Sequence, residues 1–229
     1  RGRHHHQYAH SRGSRVMNRT RIVLADDHRI VLDGLKGLLS PHFELVGTAV
    51  NGRDVVRLVE ELKPDVAVLD ISMPLLNGID ATRQLRERHP NVKVVMLTMH
   101  PDTLYATRAL EAGASGYVLK HAASDELVSA VEAVLRGETF ISPSIRNSAM
   151  DELLDPNRRH AKSTLELTPR QREVLQLLAE GKSAKEIASI LEISPRTVET
   201  HKYKMMDDLG VKTSAQLVQY AIKHGLVSV

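Results

Sequence analysis

Five times between residues 22 and 136, a short unbroken aliphatic run gives way to an amphipathic stretch. The runs are Ile22–Ala25, Leu45–Ala49, Val66–Leu69, Val94–Leu97 and Gly116–Leu119. The stretches cover 28–39, 52–62, 78–88, 102–112 and 124–136. Runs that do not alternate with polar residues read as strands covered on both faces. Val31, Leu35, Leu38 and Leu39 give the first stretch the apolar stripe of a surface helix. Repeated strand–helix units joined by right-handed crossovers imply a parallel sheet with helices on both sides. The expected fold is α/β: a five-stranded, doubly wound, flavodoxin-like sheet in the order 2-1-3-4-5.

The chain has 229 residues, enough for a second domain. Residues 138–164 break the rhythm with two prolines and few apolar residues, and are expected to be a linker. Met150, Leu153 and Leu154 could form a short helix within it. From Thr168 onward the pattern is helical throughout. Thr168-Pro169-Arg170-Gln171 and Ser183-Ala184-Lys185-Glu186 are capping boxes. Ser194-Pro195 and Thr213-Ser214-Ala215-Gln216 open two further helices, and Gly181, Gly210 and Gly225 mark helix ends. Three residues, Leu191 to Ile193, separate the second helix from the third, which is helix-turn-helix spacing. The expected organisation is a leader or tag over 1–16, an α/β domain over 17–137, the linker, and a small all-α four-helix domain over 165–229. The leader holds His4, His5, His6 and His10 among Arg, Gly and Ser. It reads as tag-like and not as a metal site.

Composition narrows the function. Without Cys there are no disulfides, thiolate metal sites or Cys nucleophiles, and a reducing compartment fits. No apolar run approaches the ~18–20 residues that cross a bilayer, and the polar N-terminus lacks a secretory h-region. The expected setting is cytoplasmic, with no membrane partner. Residues 17–141 carry 14 basic and 17 acidic side chains while 162–229 carry 10 and 8, so the two halves should meet different partners.

Ligands of parallel α/β sheets bind beyond the carboxyl ends of the strands. Those ends carry Asp26-Asp27, Asp70, Thr98 and Lys120. Clustered carboxylates repel unless a cation or proton intervenes. Mg²⁺, a hard cation with oxygen ligands, is the natural tenant. It would hold phosphoryl oxygens, with Lys120 and Thr98 taking the others. An Asp carboxylate is a competent phosphoryl acceptor.

Residues 21–136 resemble a two-component response-regulator receiver domain. The resemblance rests on Asp26-Asp27-His28, Asp70-Ile71-Ser72-Met73-Pro74 through Asn77-Gly78, Leu97-Thr98 and Gly113-Ala114-Ser115-Gly116-Tyr117-Val118-Leu119-Lys120. It implies that Asp70 is the phosphoacceptor. Asp27 would bind Mg²⁺ directly and Asp26 mainly through water, with the Ser72 backbone carbonyl as a further ligand. Thr98 and Tyr117 would be the switch pair, Tyr117 swinging inward on phosphorylation. His121 departs from the Pro that many receivers carry there.

On the third tail helix Val198, Met205 and Leu209 share an inward face, leaving Arg196, Thr200, Tyr203 and Lys204 free for contact. Residues 167–227 resemble a LuxR-type helix-turn-helix, through Leu167–Leu175, Gly181–Ala188 and Ile193–His201. The two resemblances together are those of the NarL/FixJ class. They imply contact with double-stranded DNA by Lys185, Arg196, Thr197, Glu199, Thr200, Lys202, Tyr203 and Lys204. A homodimer would form on phosphorylation, with Leu217, Val218 and Ala221 of the fourth helix as the dimer contact. Glu199 and Asp207-Asp208 stand where relatives carry basic residues.

The reading is a transcription regulator, phosphorylated by a sensor histidine kinase, and not an enzyme. Three acids around a metal would also suit a phosphatase, but the short strand-to-helix loops offer no substrate cap. A phosphorylation-independent regulator is the third reading, opposed by the complete acidic pocket.

Overall fold

The structure, a computed structural model, describes residues 19–147 and 167–227. The leader and the short helix around Met150, Leu153 and Leu154 lie outside the described residues. The first domain alternates β1 (Arg21–Ala25), α1 (Arg29–Leu39), β2 (Glu44–Ala49), α2 (Gly52–Leu62), β3 (Val66–Asp70), α3 (Gly78–Arg88), β4 (Lys93–Thr98), α4 (Thr103–Glu111), β5 (Gly116–Leu119) and α5 (Ala123–Leu135). The helices start where local chemistry dictates. Asn51 and Asn77 accept from the backbone N–H three residues on, at Asp54 and Asp80, and Asp102 accepts from Leu104.

Every strand pairing is parallel, in the order β2-β1-β3-β4-β5 with a short β6 (Phe140–Ile141) at the β5 edge. The strands, largely apolar, still sort their residues by the period of two. Ile22, Leu24, Val66, Val68, Val95, Leu97 and Val118 join α1 and α5 in one core. Ala25, Ala67, Leu69, Val94, Met96 and Tyr117 join α2, α3 and α4 in the other.

The sixth strand, β6 (Phe140–Ile141), corrects the expected count of five and the expected linker start at 138. It pairs through Gly116↔Phe140 and Tyr117↔Ile141. Residues 143–147 then turn helical and bury Ile145 against the α2–α4 core. The fold of the first domain therefore continues to at least residue 147.

The second domain packs α6 (Pro169–Ala179), α7 (Ala184–Leu191), α8 (Pro195–Asp208) and α9 (Ser214–Lys223) around Val174, Leu175, Leu177, Ile187, Val198 and Met205. Reciprocal capping boxes form at Thr168/Gln171, Ser183/Glu186 and Thr213/Gln216. Gly181, Gly210 and Gly225 adopt the positive φ expected at helix ends. The expected dimer contact needs correction. Leu217 and Ala221 are fully buried in this domain's own core, so their side chains cannot meet a second copy, and only Val218 of the three is partly exposed.

Candidate functional site: an acidic pocket and a helix-turn-helix

The carboxyl ends of β1, β3, β4 and β5 converge on one rim. Asp26 and Asp70 are buried there, Asp27 is exposed, and Lys120 follows β5 at the start of a short 3₁₀ turn. Gly78, at the start of α3, makes the approach possible, since a Cβ there would collide with the Asp70 carbonyl oxygen. Lys120 Nζ stands 2.6 Å from Asp26 Oδ2 and 2.9 Å from Asp70 Oδ2. Only the contact with Asp70 is aligned as a hydrogen bond, leaving Asp26 Oδ2 buried with no aligned donor. One ligand atom from each of Asp26, Asp27, His28 and Asp70 lies within 4.8 Å of the others. The donor set, carboxylate oxygens gathered at one rim with Asp26 Oδ2 met by the Lys120 ammonium, fits a hard divalent cation.

Burial pushes the Asp70 carboxyl up; the hydrogen bond and charge of Lys120 only partly offset this, and Asp26 adds to the rise. Burial pulls Lys120 down, but its close contacts with the carboxylates of Asp26 and Asp70 prevail and its pKa ends above the ordinary value. The ammonium is therefore charged. An Asp70 that titrates high costs stability once ionised, and the cost accrues as pH climbs from the unfolded carboxylate range through the folded value. Asp70→Asn is therefore expected to raise Tm by a few degrees at neutral pH in EDTA. The gain should vanish below the ordinary carboxylate range, as calorimetry at several pH values would show.

Thr98 is buried, and its Oγ1 accepts from His100 N–H at 3.1 Å. Tyr117 is also buried, and its hydroxyl donates to the His100 carbonyl at 2.8 Å. The inward position of Tyr117, expected on phosphorylation, is thus the position seen here. His100 is a pocket residue that sequence reasoning missed. Its Nε2 lies 3.1 Å from Ser72 Oγ, and its ring stacks on Tyr105 with centroids 4.4 Å apart. A lone His two residues past Thr98 carried no pattern.

Comparison with known proteins agrees with this geometry. Residues 22–132 match the response regulator receiver domain family, and residues 165–221 match the bacterial regulatory proteins of the luxR family. The chain belongs to the response regulators that join a receiver to a LuxR-type DNA-binding domain. It is 40% identical over 210 residues to the transcriptional regulatory protein MctR of Rhizobium johnstonii, covering 91% of this chain and 95% of the relative. It is 39% identical over 214 residues to the oxygen regulatory protein NreC of Staphylococcus carnosus, covering 90% and 99%. Among solved structures, RcsB of Salmonella typhimurium aligns with a TM-score of 0.61 at 27% identity, over 91% of this chain and 99% of that one. An RcsB–DNA complex aligns at 0.55 with 28% identity, over 89% and 98%.

In this response regulator, helix α8 leaves Arg196, Thr200, Tyr203 and Lys204 exposed, and Lys185 of α7 is exposed as well. Thr197 Oγ1 is engaged with the Ser194 hydroxyl in the N-cap, and Lys202 pairs with Glu199 at 3.2 Å. No helix among the described residues is long and apolar enough to cross a membrane.

The two domains meet through side chains that sequence reasoning did not single out. Gln176 of α6 is buried on the loop that follows Asp70. Its Oε1 accepts from Asn77 N–H at 2.8 Å, and its Nε2 donates to the Met73 carbonyl at 3.0 Å. Glu180 accepts from Leu75 N–H at 3.0 Å, and Leu75, at φ 65°, packs against the effector core. Asp80 of α3 receives Arg172, and Glu173 receives Arg53 and Gln84. The seam is mostly polar, as interfaces between domains of one chain usually are.

Proposed function

We propose that Asp70 accepts a phosphoryl group from a partner sensor histidine kinase, and that this releases the effector domain to pair on promoter DNA. The observation that carries the reading is the buried Asp70 carboxylate held 2.9 Å from a charged Lys120. An Asp70 oxygen attacks phosphorus, the P–N bond to the kinase imidazole breaks with its electron pair leaving on nitrogen, and an O–P bond forms. Lys120 turns its ammonium to one phosphoryl oxygen. The Thr98 hydroxyl donates to another. Asp26, Asp27, Asp70 and the Ser72 carbonyl would hold Mg²⁺, which supplies charge neutralisation for the phosphoryl oxygens. Intact mass after exposure to acetyl phosphate and Mg²⁺ tests the assignment. One phosphoryl addition, absent from Asp70→Asn, is expected, and equal labelling of both chains would refute it.

The exposed face of α8 is available to the major groove even with the domains docked, so the receiver does not act by covering it. Docking instead engages the end of α9, where Arg108 of α4 donates to the His224 carbonyl at 2.8 Å. Ala215, Val218, Gln219 and Ile222 lie along one outward stripe of α9, and this stripe replaces the buried Leu217 and Ala221 as the pairing face. A two-fold homodimer then reads inverted half-sites about one helical turn, ~10 bp, apart.

Asp207 and Asp208 are exposed at the end of α8, where acids oppose the negative end of the helix dipole and would face DNA phosphates. Asp207→Asn/Asp208→Asn is expected to tighten binding by about 2- to 10-fold on cognate and scrambled duplexes alike, because removing backbone repulsion carries no sequence information. Titrations at two salt concentrations would show this, and weaker binding would place the acids on the wrong face.

A further inference from the structure

We infer that the turn ending the last helix, Gly225-Leu226-Val227, is a built-in gate on the phosphoacceptor pocket, slowing phosphorylation while the domains are docked. A cavity of about 190 Å³ lies between them. One wall is Asp27, Ser72 and Pro74 from the pocket rim, and the facing wall includes Gly225, Leu226 and Val227. The turn is held there from two sides. Arg108 of α4 donates to the His224 carbonyl, and Tyr105 of α4 lies so close to Gly225 that a Cβ would collide with its hydroxyl. Gly225, at φ 64°, both ends α9 and leaves room for that ring. Tyr105 in turn stacks on His100, which touches Ser72 beside the pocket. The turn is therefore seated at the mouth and coupled to its lining. Asp70 itself is only 5% exposed, so a phosphodonor must enter by the rim that the turn shares.

The gate deepens the reading of Asp70 as phosphoacceptor and rests on it. If labelling proceeds only from the open state, its rate follows the open fraction, and the two states are linked reciprocally: a phosphoryl group that excludes the turn also favours undocking.

The test is the rate of mass gain from acetyl phosphate and Mg²⁺ in the full chain, where an Asp70 oxygen attacks phosphorus and acetate leaves with the bonding pair. Arg108→Ala removes one hydrogen bond from the docked turn and nothing from either core, and is expected to label about 2- to 10-fold faster. Leu226→Asp places a charge in the cavity beside Asp27 and is expected to label faster still. If that substitution unfolds the effector domain, Arg108→Ala alone carries the test. Wild-type and Arg108→Ala chains that label at one rate overturn the gate and leave Asp70 standing. Failure of every chain to label overturns the Asp70 reading and the gate with it.

Discussion

Replacing Gln176 and Glu180 together by Ala is expected to give an unphosphorylated chain that binds DNA about 10- to 100-fold more tightly than the wild type. Gln176 lies on α6 and Glu180 caps its C-terminus, and both side chains reach across to the loop after Asp70. In the docked form their loss leaves Asn77 N–H, Leu75 N–H and the Met73 carbonyl without partners. In the open form water satisfies all three. An unpaired buried backbone group costs about 1–3 kcal/mol, so even one of the three left unhydrated moves the docking equilibrium by about one to two powers of ten. None of the effector core residues is touched. Unchanged affinity, measured by titration of a labelled duplex, would show that the seam does not restrain the effector domain.

Lys120→Ala is expected to have the largest effect on stability. Removing the ammonium leaves Asp26 and Asp70, both buried, facing each other without a counter-charge. Breaking a buried ion pair from one side costs about 3–5 kcal/mol. The loss should shrink when Mg²⁺ is added, because a bound cation takes over the neutralising role. It should also shrink in an Asp70→Asn background, where one of the two stranded charges is absent. Urea titrations of the four chains, with and without Mg²⁺, give the coupling directly. Equal costs in both backgrounds would mean that Lys120 is held by something other than Asp70.

What the sequence made legible was local. The amphipathic stretches 52–62 and 78–88 coincide with α2 and α3, and the effector helices follow from the capping boxes at Thr168 and Ser183, the openings at Ser194 and Thr213 and the terminal glycines. The pocket was legible because a parallel sheet delivers the ends of its strands to one rim, so Asp26, Asp70, Thr98 and Lys120 needed no tertiary knowledge to be grouped.

The rest depends on which surfaces meet. Strand β6 is two residues long, with no hydrophobic period to detect. Gln176 and Asn77 are ordinary polar residues until they face each other across the seam. Leu217 and Ala221 form an apolar stripe that reads the same whether it packs on its own domain or on a second copy, and here it packs on its own domain.

The most direct measurement is the affinity of the full chain for its promoter duplex before and after acetyl phosphate treatment with Mg²⁺, beside Asp70→Asn treated identically. If phosphorylation at Asp70 opens the seam, the treated wild type binds at least about 10-fold more tightly, as the docking equilibrium requires, and sediments as a dimer on DNA while Asp70→Asn does not change. Equal affinity of treated and untreated wild type, at full phosphoryl occupancy by intact mass, would contradict the coupling of Asp70 to DNA binding.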